Sequence, residues 1–400
     1  MNNNTITAPK GFLAAGVKAG IKKSGKEDVG LIVCPSGAIA AAVFTTNKIT
    51  AAPVQISRKH IKSRKIEAVV VNSGNANCCT GKTGLKNAVE MCQQTAELLE
   101  TNPHNVLIAS TGIIGHKLPV SCVKAGIDAA FETLKADESA GENFLKAIMT
   151  TDTKPKSAIR SVKIGGKNAV LAGCTKGAGM IGPNMATTLC FITTDTAISK
   201  NMLQKALAEA IGCSLNRLTV DGHQSTNDTA IALSSGMAGN ATITKTDANF
   251  KKFASALTDL CSDLAKQMAL DAEGATKMFT VVVKGAKTRE QATKAARAVA
   301  DYDLVKCAIH GNDPNWGRII CAVGSCGIDL NPDKLSCKIG NITVFRNGSP
   351  VKFDTKKASN VIKNIQHTIE VNLGIGKAED FCYGCDLSDE YIRINADYHT

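Results

Sequence analysis

The sequence predicts an α/β fold, on three observations. Short β-branched and apolar runs at 66–71, 106–109, 189–192 and 278–283 have the length of buried strands. Other segments repeat apolar residues at helical spacing, most plainly Phe250, Phe253, Leu257, Leu260, Leu264 and Met268. The two kinds of segment alternate along the chain with glycine- and asparagine-rich turns between them, the pattern of mixed layers of helix and sheet.

Taken in order, residues 30–44 hold two apolar runs around Pro35-Ser36-Gly37, which reads as a hairpin. The 66–71 run leaves into a polar loop, Asn72-Ser73-Gly74-Asn75. Val89, Cys92, Ala96 and Leu99 mark a helix, and 106–109 a strand that delivers the loop Ser110-Thr111-Gly112. A helix follows over about 119–134. Another starts at the capping box Ser139-Ala140-Gly141-Glu142 and ends near Met149. Residues 157–170 read as a hairpin around Gly165-Gly166. Met202, Leu203, Ala206, Leu207 and Ile211 mark a helix, 218–220 a strand, and the stripe from Phe250 a helix closed by Gly274. A last domain boundary is placed at Met278. Beyond it come a helix capped by Thr288, a strand at 304–309, a hairpin at Asn347-Gly348 and a strand-like tail from Tyr391.

Composition narrows the function. Four hundred residues with 44% hydrophobic content suffice for large cores, and no apolar run approaches the ~20 residues of a membrane span. The amino terminus shows neither a signal nor a transit pattern, so the expected compartment is the cytoplasm. The 15 cysteines are scattered, with one CxxC at Cys382–Cys385 and no second pair, so reduced, packed thiols are expected rather than a metal site. The net charge of +12 raises nucleic-acid binding, through clusters such as Arg58-Lys59-His60. Aromatics are not interleaved with the cations as base stacking requires, so a solvated basic face is expected and no nucleic-acid partner.

The chemistry centres on residues 173–189, which hold four glycines, Lys176 and Pro183 between apolar strands at 168–172 and 189–192. Gly177-x-Gly179-x-x-Gly182 has the dinucleotide spacing, but no helix opens behind it to hold a phosphate, and the match is read as chance. The other reading is a nucleophilic Thr187. A hydroxyl needs a base, and the residue's own α-amine, with a pKa of roughly 8, serves once the Ala186–Thr187 bond is broken. The same hydroxyl can break that bond by attacking the preceding carbonyl.

Lys176-Gly177-Ala178-Gly179-Met180-Ile181-Gly182-Pro183-Asn184-Met185-Ala186-Thr187 closely resembles the self-cleavage site of the ornithine acetyltransferase (glutamate N-acetyltransferase) family of arginine biosynthesis. The resemblance spans the chain, through 7–12, 71–77, 110–115, 271–277, 313–318 and 394–398. Ala178, Gly182 and Thr188 depart from the commoner residues, and Gly182 is expected to loosen the turn and change the cleavage rate.

The resemblance implies a layered α-β-β-α catalytic domain built from both cleaved pieces, with a smaller α/β carboxy-terminal domain. It divides the chain into an alpha piece 1–186 and a beta piece 187–400, the latter completing the catalytic domain over 187–277 and forming the last domain over 278–400. It assigns Thr187 as nucleophile, Thr111 and Gly112 to an oxyanion hole, and Thr150, Lys176, Thr187, Glu273, Asn395 and Thr400 to substrate binding. The implied reaction moves acetyl from N2-acetylornithine to glutamate without cofactor or metal, by two alpha and two beta pieces together. Acetyl-CoA stays open as a second donor. Water as acceptor would instead make an aminopeptidase or amidohydrolase, and a non-enzymatic basic binding module is the remaining alternative.

Overall fold

The computed structural model describes residues 3–182 and 188–397. Its first unit is one eight-stranded sheet folded into two stacked halves. The strand order is Val106–Ile113, Ile66–Asn75, Val29–Phe44, Thr229–Ser234, Leu189–Thr194, Lys167–Lys176 and Lys156–Ile164, with Leu13–Val17 also on Val29–Phe44.

Val29–Phe44 is the hinge between the halves. Val29–Val33 pair with Leu13–Val17 and with 68–72, whereas Ile39–Phe44 pair with Thr229–Ser234. The expected hairpin at Pro35-Ser36-Gly37 is therefore one bent strand. Both flanks find partners on different strands, and a register shift between Val33 and Ala38 absorbs the proline as a bulge does.

Side-chain alternation then builds four layers. Val69, Val71, Leu107 and Ala109 point into the space between the halves, where they meet Leu189, Phe191, Ile231 and Leu233. Phe144 closes this layer edge-on to Phe191, with ring centroids 5.4 Å apart. The alternate residues Ala68, Val70, Val106 and Ile108 face the helices Gly81–Leu98 and Val120–Glu132. On the far side Leu171, Cys190 and Ile192 face Lys200–Gly212 and Ala248–Leu270. The layers run helix, sheet, sheet, helix, and the stripe from Phe250 to Met268 is core as its spacing predicts.

The second unit is a six-stranded sheet, ordered Ser349–Pro350, Ile342–Arg346, Ser336–Ile339, Gln366–Asn372, Met278–Ala286 and Ala378–Cys385. Its core packs against Arg289–Asp301, Asp303–His310, Trp316–Ser325 and Thr355–Ile362. The turn at Asn347 (φ 48°) and Gly348 (φ 76°) is left-handed at both positions, as the Asn-Gly pair predicts. Cys382 and Cys385 are buried along Ala378–Cys385, and among the described residues no group of His, Cys, Asp and Glu is placed to hold a metal.

Five further expectations are corrected. The 304–309 segment is helix, because Val305, Lys306, Ala308 and Ile309 share one buried face at helical spacing. Residues 218–220 form no ladder beyond a single bridge from Leu218 to Tyr383. The helix expected at Ser139 starts at Glu138, capped by Asp137, whose Oδ1 accepts the Ala140 N–H at 2.8 Å. The tail is the helix Asp389–Asp397, not a strand. The long helix ends at Leu270 with Asp271 as its cap, so Gly274 does not cap it. Gly274 (φ +66°) instead lets the chain pass the tail helix, where a Cβ would lie 2.4 Å from the Tyr391 nitrogen.

Candidate active site

A cavity of about 410 Å³ opens where the strand Val106–Ile113, the chain beyond Lys167–Lys176, the loop after Ala248–Leu270 and the helix Asp389–Asp397 meet. Thr111, Gly112, Thr150, Lys176, Glu273 and Asn395, named from the sequence, all line it. Ala186, Thr187 and Thr400 lie outside the described residues.

Thr111 and Gly112 are not in a loop as expected but continue the strand, in register with Ser73 and Gly74 of the Asn72-Ser73-Gly74-Asn75 motif. The two backbones touch: a Cβ on Gly112 (φ +128°) would lie 2.3 Å from the Gly74 carbonyl carbon, so only glycine fits. Side chains fasten this crossing. Asn227 Nδ2 donates to the carbonyls of Ala76 (2.7 Å) and Ser110 (2.8 Å), and the Ser110 hydroxyl donates to Asn72 Oδ1 at 2.5 Å.

Lys176 is the last residue of its strand, buried, with Nζ 3.4 Å from Thr111 Oγ1. Burial pulls its ammonium below the ordinary lysine value, and Asp152 is the largest counterweight. Asp152 belongs to a buried ionic chain that the sequence did not reveal. Lys156 Nζ bridges Asp152 Oδ1 (2.6 Å) and Asp271 Oδ2 (2.5 Å), all three side chains at most 4% exposed. Asp152 also accepts the N–H groups of Gly177 (2.7 Å) and Thr150 (3.0 Å), and Asp271 those of Thr153 and Lys154. Burial raises the Asp152 carboxyl, but Lys176 and Lys156 together outweigh it and hold it at about 2.

Glu273 follows that chain by two residues. Its N–H donates to Ala178 O (2.9 Å) and its Oε2 accepts from Asn395 Nδ2 (2.9 Å). Gly179 makes room for the carboxylate, since a Cβ there would lie 2.2 Å from Glu273 Oε2.

The opposite wall was also missed. Asp221 accepts the N–H groups of Met180 (2.7 Å) and Ile181 (2.9 Å) and the Tyr391 hydroxyl (3.1 Å). It thereby ties the turn before the candidate junction to the tail helix and offsets the left-handed backbone of Met180 (φ 53°). His223, from the neighbouring loop, is exposed on this wall. Gly182 packs on Gly222, where a Cβ would come within 2.4 Å of backbone, so its missing side chain tightens this contact. A repeated acceptor role for one aspartate has no sequence signature, and the tail helix was read as strand.

On one side of residues 183–187 the cavity wall holds Gly179 and Met180, and on the other Thr188 lines a small adjoining cavity. Thr188 is fixed: its N–H donates to Asp228 Oδ1 (2.8 Å) and its hydroxyl to Lys176 O (2.7 Å).

Known proteins resemble the chain over nearly all its length. It matches the ArgJ family over residues 13–400. It is 44% identical over 397 residues to an arginine biosynthesis bifunctional protein ArgJ of Symbiobacterium thermophilum, covering 99% of this chain and 98% of the relative. It is 45% identical over 406 residues to a glutamate N-acetyltransferase of Methanocaldococcus jannaschii, with 99% and 98% covered. A crystal structure of a bifunctional argJ protein from Bacillus halodurans is 42% identical, with a TM-score of 0.50, over 52% of this chain and 97% of that one. On this full-length match, the chain belongs to the ArgJ family.

Proposed function

We propose that the protein is a glutamate N-acetyltransferase that moves acetyl from N2-acetylornithine to glutamate through an ester on Thr187, after cleaving itself between Ala186 and Thr187. One observation carries this reading. Thr111, Gly112, Lys176, Glu273 and Asn395, from four separate stretches of chain, converge on the cavity whose wall also holds Gly179 and Met180, shortly before residues 183–187. The names of the relatives support acetyl transfer. The solved relative's chain, 97% covered by about half of this one, has the length that a split near the middle would leave.

In the first half-reaction the freed amine of Thr187 takes the proton from its own hydroxyl, and the oxygen attacks the acetyl carbonyl. The Thr111 hydroxyl and Gly112 N–H receive the developing oxyanion. Ornithine leaves with the proton, and the glutamate amine then attacks the ester and restores Thr187. Lys176 and Glu273 give the pocket both signs of charge, which substrates carrying a carboxylate plus either an ammonium or a second carboxylate require. Thr150 and Asn395 add neutral hydrogen-bonding groups, as does Thr400 in this reading. No cofactor enters the scheme. Acetyl-CoA is proposed as a second donor, in keeping with the word bifunctional in the relatives' names. Two pieces of each kind, working in the cytoplasm, complete the proposal; among the described residues no helix is long and apolar enough to cross a membrane.

Thr187→Ala is expected to stay one uncleaved chain and form no N-acetylglutamate. A Thr187→Ala protein recovered as two pieces with full activity contradicts the assignment. Measuring acetate beside N-acetylglutamate separates this reading from a hydrolase.

A further inference from the structure

Asp228 is a buried carboxyl group for which the transfer scheme has no use. It is 1% exposed and directly precedes the strand Thr229–Ser234. Its Oδ1 accepts the Thr188 N–H at 2.8 Å, and its Oδ2 has no hydrogen-bond partner among the described residues. A buried oxygen without a partner is costly, so such an atom calls for an explanation.

The surroundings supply one. Asp228 lines a second cavity of about 10 Å³ with Thr111, Lys176, Thr188, Ser225 and Asn227. Thr111, Lys176, Ser225 and Asn227 also line the large cavity, so the small one adjoins the site. That volume is about what one water needs, and a buried water needs two to four polar partners, which these walls offer. Burial raises the Asp228 carboxyl well above the carboxylate range, with the Thr188 N–H and Lys176 only partly offsetting it. That direction favours the protonated acid, the form that can give a proton.

We propose that Asp228, through one water in the small cavity, carries the protons for cleavage of the Ala186–Thr187 bond. The inference rests on the self-cleavage reading above. Three backbone bonds separate the Thr188 nitrogen from the Thr187 nitrogen, so the two are at most about 4 Å apart whatever the conformation. Asp228 Oδ1 is 2.8 Å from the first, so it lies within about 7 Å of the second.

The Thr187 hydroxyl oxygen bonds to the Ala186 carbonyl carbon, and the carbon–nitrogen bond breaks. The departing nitrogen needs a proton and the attacking oxygen must lose one. Asp228 delivers its proton through the water to nitrogen and takes back the hydroxyl's by the same route, ending as it began. A second water then attacks the ester carbon. The carbon–oxygen bond breaks, the Thr187 oxygen regains a proton, and Ala186 leaves as a carboxylic acid.

Asp228→Asn tests this. Asparagine keeps the size and the acceptor for the Thr188 N–H but cannot release and retake a proton. In cell-free synthesis of the labelled full-length chain, cleavage of Asp228→Asn is expected to slow on the order of a hundredfold, the usual scale of general acid–base contributions. Melting temperature should stay at the wild-type value. Cleavage at the wild-type rate overturns the proposal, and is what a merely structural hydrogen bond to Thr188 predicts. Should the variant fold poorly, the wild-type rate in heavy water decides: slower cleavage supports proton transfer, and an equal rate overturns it. A wild-type chain that never splits refutes the self-cleavage reading itself, so the two failures are distinct.

Discussion

Thr111 stands beside a buried ammonium, and that pairing defines what its hydroxyl can do. The group is 3.4 Å from Lys176 Nζ, in a strand whose backbone is pressed against Gly74. A donor so confined pays little reorganisation when an oxyanion forms, and such donors are worth roughly 3–4 kcal/mol each. Thr111→Ala should therefore lower kcat by on the order of a hundredfold with KM little changed. Steady-state kinetics with N-acetylornithine checks this, and a KM effect at constant kcat assigns Thr111 to ground-state binding instead. Lys156 makes a different prediction, about stability. It bridges Asp152 and Asp271 in the interior, and Lys156→Met removes the ammonium that both carboxylates share. Removing one partner of a buried ionic cluster costs about 3–5 kcal/mol, so urea unfolding should show a loss of that size. A loss below about 1 kcal/mol is the value for an exposed pair and contradicts the interior role.

At the level of elements, the helices and strands with strong periodicity were legible and the short ones were not. The Phe250–Met268 stripe declared its helix because six large residues repeat on one face over more than four turns. The strand Thr229–Ser234, central in the sheet, passed unread because Thr229, Ala230, Ala232 and Ser234 are small or polar, although every residue in it is buried. Asp303–His310 is two turns long, too short for its 3.6 period to stand apart from an apolar strand. The strand Gln366–Asn372 carries a titration that sequence also hides. His367 stacks on Phe279, with ring centroids 5.9 Å apart, and burial lowers it from 6.5 to about 4. The folded imidazole is thus neutral where the unfolded one is charged. Its contribution is present above pH 6.5 and is lost as pH falls from there towards 4. The loss amounts to about 3 kcal/mol. His367→Phe should flatten that part of the stability–pH curve, and an unchanged slope there contradicts it.

On the scale of the whole molecule, the site is a meeting of distant segments. The motif residues Ser110-Thr111-Gly112, Lys176, Glu273 and Asn395 could be named from sequence because the motifs that hold them resemble those of a known family. Their joint wiring could not. Asp152, Lys156 and Asp271 look like surface charges in the sequence, and only the approach of three segments buries them as one chain of ions. Strand pairing bears on the proposed split. Lys167–Lys176 pairs with Leu189–Thr194, and Val29–Phe44 with Thr229–Ser234. A cut between 186 and 187 therefore severs the chain while leaving both ladders to hold the pieces together.

Acid quenching of the protein during reaction with N-acetylornithine alone, followed by digestion and mass spectrometry, shows which residue carries the acetyl group. The account predicts one acetyl group on a peptide that begins at Thr187 and on no other, lost again when glutamate is added. An intact, fully active chain, or an acetyl group carried by a different residue, contradicts it.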